Sequence, residues 1–253
     1  DNNFYEIDYY SFESFYHGGA SGDIDNDGDL DIIVVDGGRR KSLLFENING
    51  ELIPNKTLID QDLMNGMYNA ELYDINNDGF LDLITGGHDW KGNQNPDCEW
   101  WECNTYNNTP VIIYGDGIDF IGNEYVRLPE TSIYKQGIVT NFEFYDFDGN
   151  GDVEIILTRT GDNMNETPEL PWDQSNFYKD WSIQVIELSG VDYIDVTSKY
   201  IDVYFGEEPW IIFTKIKDHD NDGILEMYNS VNPYKNIDHY LEWKIIGGRL
   251  IKQ

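Results

Sequence analysis

One short pattern occurs four times and limits what this chain can fold into. It reads DIDNDGDLDIIVV from Asp23, DINNDGFLDLITG from Asp74, DFDGNGDVEIILT from Asp146 and DHDNDGILEMYNS from Asp218. The starts lie 51, 72 and 72 residues apart. Each copy places oxygen-bearing side chains at positions 1, 3 and 5, Gly at 6, a carboxylate at 9, and then an apolar run. Before each copy stands a short stretch rich in Tyr, Phe, Val or Ile: FYHGGASG, MYNAELY, VTNFEFY and WIIFTKIK. One or two similar stretches follow it, bounded by Gly, Asn and Asp, which is how strands and tight turns are written. No window sustains a helical period over three turns.

One unit therefore reads as strand A, acidic loop, strand B, a B–C connection, strand C, a hairpin turn and strand D. Such a unit cannot bury both faces alone, so neighbours must stack. Four-stranded antiparallel units in series are the blades of a β-propeller, and the expected fold is all-β. The blades fall at about 12–61, 62–130, 131–198 and 199–253, in a single domain spanning 1–253, with residues 1–11 as an N-terminal closing strand. Four blades are either a small closed ring or part of a larger one.

Alternate oxygens followed by a turn-forming Gly bring hard ligands around one point, which suits calcium with its 6–8 oxygen ligands. The first loop offers Asp23, Asp25, Asp27 and Asp31 with the carbonyl of Asp29, and the second Asp74, Asn76, Asp78 and Asp82 with that of Phe80. The third offers Asp146, Asp148, Asn150 and Glu154 with the carbonyl of Asp152, and the fourth Asp218, Asp220, Asp222 and Glu226 with that of Ile224. Up to four calcium ions are expected. An EF-hand needs Glu at position 12 and flanking helices. Position 12 here is Val34, Thr85, Leu157 and Asn229, and the flanks are strands. A run of acidic turns without metal explains one loop more easily than four in one register.

The D-x-D/N-x-D/N-G-x-x-D/E loop leading into an apolar strand resembles the FG-GAP or VCBS repeat of integrin-like β-propellers. The resemblance covers all four units and is most specific in the loop and strand B. It implies calcium bound between the first two strands of each blade, and an exported or cell-surface protein. There, millimolar calcium matches sites with Kd on the order of 10⁻⁴–10⁻³ M. Asn76 and Asn150 depart from Asp and imply weaker sites, and that family usually builds about seven blades.

Composition narrows the partners. With 48 Asp and Glu against 16 Lys and Arg, the formal charge is −32. A chain this acidic repels nucleic acid and anionic lipid. No apolar run reaches the roughly 18 residues of a membrane span. The first residue is Asp1, as expected of a processed mature chain or a trimmed one from which any export signal has gone. Cys98 and Cys103 fit a local disulfide or a pair of free thiols. The scattered histidines have no zinc-ligand spacing.

The B–C connections lie at the opposite end of the units from the acidic loops. Two are long and hold Trp90, Trp100, Trp101, Trp172 and Trp181, five of the seven Trp, and Arg39, Arg40, His88 and Arg159 share that end. Long loops in compact domains are more often functional than incidental. Aromatic rings beside polar groups suit sugars, and Arg suits a carboxylate or sulfate. This face is expected to bind a glycan or protein partner, which makes the chain a calcium-stabilised extracellular binding or adhesion module. Packing of these Trp against the blades is the plainer reading. The alternatives are a calcium-dependent propeller polysaccharide lyase and a structural subunit of a surface or filament assembly with self-association. No nucleophile elbow is present, since GASGD around Ser21 lacks the second required Gly.

Overall fold

The computed structural model describes residues 16–36, 42–55, 58–64, 67–87, 109–133, 136–161, 178–207, 214–229 and 241–253. These residues form four antiparallel sheets, each built from consecutive strands. The first is β1 (Tyr16–Gly22), β2 (Asp31–Asp36), β3 (Leu43–Ile48) and β4 (Glu51–Asn55). The second is β5 (Met67–Tyr73), β6 (Asp82–Gly87), β7 (Val111–Ile113) and β8 (Tyr125–Arg127). The third is β9 (Ile138–Tyr145), β10 (Glu154–Thr160), β11 (Trp181–Ser189) and β12 (Asp192–Asp195). One helical turn, α1 (Thr197–Tyr200), and a two-residue strand, β13 (Phe205–Gly206), precede the fourth sheet of β14 (Thr214–Lys217), β15 (Glu226–Asn229), β16 (Glu242–Ile246) and β17 (Arg249–Lys252). Each acidic loop joins the first and second strands of its sheet.

Three apolar clusters lie between successive sheets, and the middle strands serve two of them at once. On β6, Leu83 points to the cluster shared with the first sheet, whereas Ile84 points to the one shared with the third. On β7, Val111 and Ile113 face one way and Ile112 the other. On β10, Ile155 and Leu157 face the second sheet and Ile156 faces the fourth. This is the period-2 alternation of a strand with both faces covered, so the sequence reads as an unbroken apolar run. Each fully buried Ile, Leu or Val contributes roughly 1.5–3 kcal/mol, which makes the stacking of sheets the main source of stability.

The first strands also meet directly. Asn69 on β5 donates its Nδ2 to the Val139 carbonyl on β9 at 2.7 Å, and Asn141 on β9 donates to the Thr214 carbonyl on β14 at 3.1 Å. Both Asn stand five residues before the first Asp of their loop. Gly18 holds that place in the first sheet, where an added Cβ would lie 2.4 Å from the Tyr68 carbonyl oxygen. A polar clasp thus recurs where two sheets have room for it, and Gly serves where the backbones close in.

Two details differ from the sequence reading. The stretch DYIDVTS ends in the helical turn α1, and β13 pairs with β11 of the third sheet although it falls in the span expected for the fourth unit. The chain passes close against the Trp181 ring at Gly206 before starting β14. An added Cβ on Gly206 would lie 2.5 Å from the Trp181 ring, so a residue without a side chain lets the strand pass.

Candidate functional site

All four acidic loops fold through one hydrogen-bond network. The position-1 Asp accepts the N–H of the position-6 Gly: Asp23 from Gly28 at 3.1 Å, Asp74 from Gly79 at 2.9 Å, Asp146 from Gly151 at 3.0 Å and Asp218 from Gly223 at 3.0 Å. The position-5 side chain accepts the N–H of position 7 at 2.9, 2.9, 2.6 and 2.8 Å in turn. Position 6 takes φ between 88° and 96° in every loop, which is why Gly stands there. Position 4 is also left-handed, at Asn26, Asn77, Gly149 and Asn221. Asn and Gly tolerate that conformation best, so this second turn signal was present in the sequence although the motif reading passed over it.

The position-9 carboxylate acts as a buckle. One oxygen of Asp31, Asp82, Glu154 and Glu226 accepts the backbone N–H of position 2, at 3.0, 2.8, 2.7 and 3.1 Å. In the first two loops the second Asp oxygen accepts another N–H, from Asn47 of β3 and from Gly115 just after β7, both at 2.9 Å. The longer Glu of the third and fourth loops leaves its Oε1 facing other side chains. Burial pushes the Asp82 carboxyl up to about 6, against the pull of the Gly115 and Ile75 N–H groups and with the help of Asp78 and Asp74. Burial also raises Glu154, and Asp148 and Glu187 repel its charge further.

Among the described residues, three groups of acidic oxygens converge closely enough to share a cation. Asp23, Asp25 and Asp27 form one, and Asp218, Asp220 and Asp222 another. In the third loop the group is Asp148, Glu154 and Glu187, the last contributed by β11. Asp23 Oδ1 is buried without a hydrogen-bond partner. Such an atom is costly unless a cation or water meets it, so the first loop fits a hard divalent ion. Burial raises Asp25, and the carboxylates of Asp27, Asp31 and Asp23 add repulsion. In the second loop, Asn76 donates its Nδ2 to Asp78 Oδ2 at 2.9 Å and so already meets part of that charge.

Glu187 carries no motif signal and was missed by sequence reasoning. It stands across the ladder from Glu154, one step beyond the Ile155–Ile186 pair. Around it, Lys199 of α1 donates to its carboxylate and lies 3.8 Å from Asp148 Oδ2. Tyr200 donates its hydroxyl to Glu187 Oε2 at 3.0 Å, also within reach of Glu154 and Asp148, while its ring stacks on Phe147 at 4.8 Å. The Lys199 hydrogen bond holds the Glu187 carboxyl below its ordinary range.

Two residues expected on the ligand-facing end are core residues instead. Trp181 is 3% exposed and packs edge-to-face on Trp243 at 5.4 Å. Arg159 is fully buried in β10 and donates its Nε to Gln184 Oε1 at 2.8 Å. Both lie on middle strands covered on both faces, and the junction between insertion and strand is not marked in the sequence. Arg39, Arg40, His88, Trp90, Trp100, Trp101, Trp172, Cys98 and Cys103 lie outside the described residues. No described helix is long and apolar enough to cross a membrane.

A search of the curated proteins returned no relative of this chain. Residues 23–85, which hold the first two acidic loops, match the family model described as FG-GAP-like repeat.

Proposed function

We propose that the chain is a calcium-stabilised binding module of the β-propeller kind, acting outside the cytoplasm. The observation that carries the metal assignment is Asp23 Oδ1, buried and without a hydrogen-bond partner beside Asp25 and Asp27, while Asp23 Oδ2 is taken by the Gly28 N–H. A hard divalent ion with several oxygen ligands meets that need, and calcium tolerates the irregular geometry of a nine-residue loop. The ion would be held by Asp23, Asp25 and Asp27 with the Asp29 carbonyl, while Asp31 buckles the loop shut. Its contribution would be cohesion: it would neutralise carboxylates that otherwise repel one another across the start of β2.

The stacking of four sheets through their first strands and intervening cores supports the propeller reading. The match to an FG-GAP-like repeat supports an extracellular setting. Recognition of a glycan or protein would fall to the end opposite the acidic loops, where the sequence places Trp90, Trp100, Trp101 and Trp172 with Arg39, Arg40 and His88. A glycan array that reads the same for the chain and its Trp100→Ala variant would remove the glycan part.

Thermal melts in EDTA and in about 10 mM calcium test the metal assignment. Ions binding only the folded state at Kd on the order of 10⁻³ M should raise Tm by on the order of 10 °C when several sites fill. Coincident melts would rule calcium out.

A further inference from the structure

The four loops share a network but differ in the residue that faces position 9 from the third strand. In the first sheet Ile32 pairs with Phe45, so Glu46 stands opposite Asp31. In the second, Leu83 pairs with Ile113, which sets Tyr114 opposite Asp82. Glu187 has that place in the third sheet. In the fourth, Glu226 and Lys244 are themselves a ladder pair.

Lys244 reaches along the ladder into the loop. Its Nζ lies 2.7 Å from Asp222 Oδ2, 3.5 Å from Glu226 Oε1 and 3.7 Å from Asp220 Oδ2. These are positions 5, 9 and 3, three of the oxygens that a bound ion would bridge. Glu226 is fully buried and its Oε1 has no hydrogen-bond partner, so the ammonium supplies its counter-charge. The Lys244 side chain is only 19% exposed, against 47% for Lys199 beside the third loop. An ammonium donates three hydrogens and a single charge from a flexible stem, and needs no dehydration of a free ion.

We propose that Lys244 is the resident cation of the fourth loop, standing where a divalent ion would otherwise bridge Asp220, Asp222 and Glu226. The proposal rests on the calcium reading for the other loops, but its core can be tested without metal. A calcium ion and the ammonium would compete for the same oxygens and repel each other within a few ångströms, so the fourth loop is closed to calcium while Lys244 is present. Of the three acidic groups able to hold a cation among the described residues, the one in the fourth loop is thus already filled by the chain itself. The device fixes β15 to β16 at the last sheet regardless of the surrounding calcium concentration.

The test compares the full chain with Lys244→Met, which keeps the stem and removes the charge, and with Lys244→Arg, which keeps the charge. In EDTA, Lys244→Met should melt several degrees lower, and adding Asp222→Asn to it should recover part of the loss. In calcium, equilibrium dialysis should show Lys244→Met holding one more ion than the parent, and Asp222→Asn in the parent leaving the count unchanged. An unshifted melt of Lys244→Met in EDTA would overturn the proposal, as would a parent chain that loses one ion on Asp222→Asn. If no variant binds calcium while the EDTA shifts appear, the calcium reading fails and the resident cation stands. Should Lys244→Met not fold, Lys244→Arg with Asp222→Asn still reads the pair through its melt in EDTA.

Discussion

The third and fourth sheets carry opposite charges at two equivalent places. Across from the position-9 carboxylate, the third has Glu187 and the fourth has Lys244. Three residues before the first Asp of the loop, the third has Glu143 and the fourth has Lys215. The loops between these positions are nearly superimposable in their hydrogen bonds, so the backbone does not decide what each loop holds. On the proposed reading the third-strand side chain would decide it: Glu187 adds a carboxylate that the exposed Lys199 meets only in part, whereas the more buried Lys244 ammonium meets the demand of its loop directly. On that reading a repeat would keep its loop and change its ligand by one substitution on the third strand.

The largest effect that would break the comparison is a charge reversal at Glu187. Glu187→Lys removes a carboxylate from the Asp148–Glu154–Glu187 group and introduces the cation found in the fourth sheet. The chain should then bind one calcium ion fewer by equilibrium dialysis, and the melting shift produced by calcium should shrink. An unchanged ion count would mean that the third-strand residue does not control occupancy.

A smaller effect concerns the first strands. Burial pushes the Glu143 carboxyl up to about 7; the Asn141 side chain and the Ile216 N–H oppose the shift, Glu71 adds repulsion and Lys215 attraction. Burial raises Glu71 as well, with Lys215 again opposing. A folded-state value above the unfolded one means that the native state holds the proton more tightly. Glu143 therefore contributes stability that is complete below its unfolded value and is lost as pH rises through about 7. Glu143→Gln should flatten the fall in Tm between pH 5 and 8 and stabilise the chain at pH 8 by on the order of 1–2 kcal/mol. A parallel fall in both proteins would place the pH dependence elsewhere.

Much of this was legible in the sequence. The strands MYNAELY and VTNFEFY, the four loops and their Gly turns follow from residue type and spacing alone, because each is set within nine to fifteen residues. What escaped was long-range. Glu187 and Lys244 look like ordinary surface charges until strand pairing sets them against Glu154 and Glu226, and that register depends on connections that run from Thr160 to Trp181 and from Asn229 to Glu242. Trp181 and Arg159 failed for a related reason. A strand buried on both faces lacks the polar alternation that would separate it from the insertion before or after it. Gly206, which lets the chain pass close against Trp181, had no meaning until β13 was seen to pair with β11.

The central claim is that the acidic loops are cation sites whose occupancy is set by the residue across the ladder. Crystals grown in calcium test it most directly. The account predicts an ion at Asp23, Asp25 and Asp27, an ion at Asp148, Glu154 and Glu187, and Lys244 Nζ still seated against Asp222. Calcium in the fourth loop with Lys244 turned away, or no ion beside Asp23 Oδ1, would contradict it.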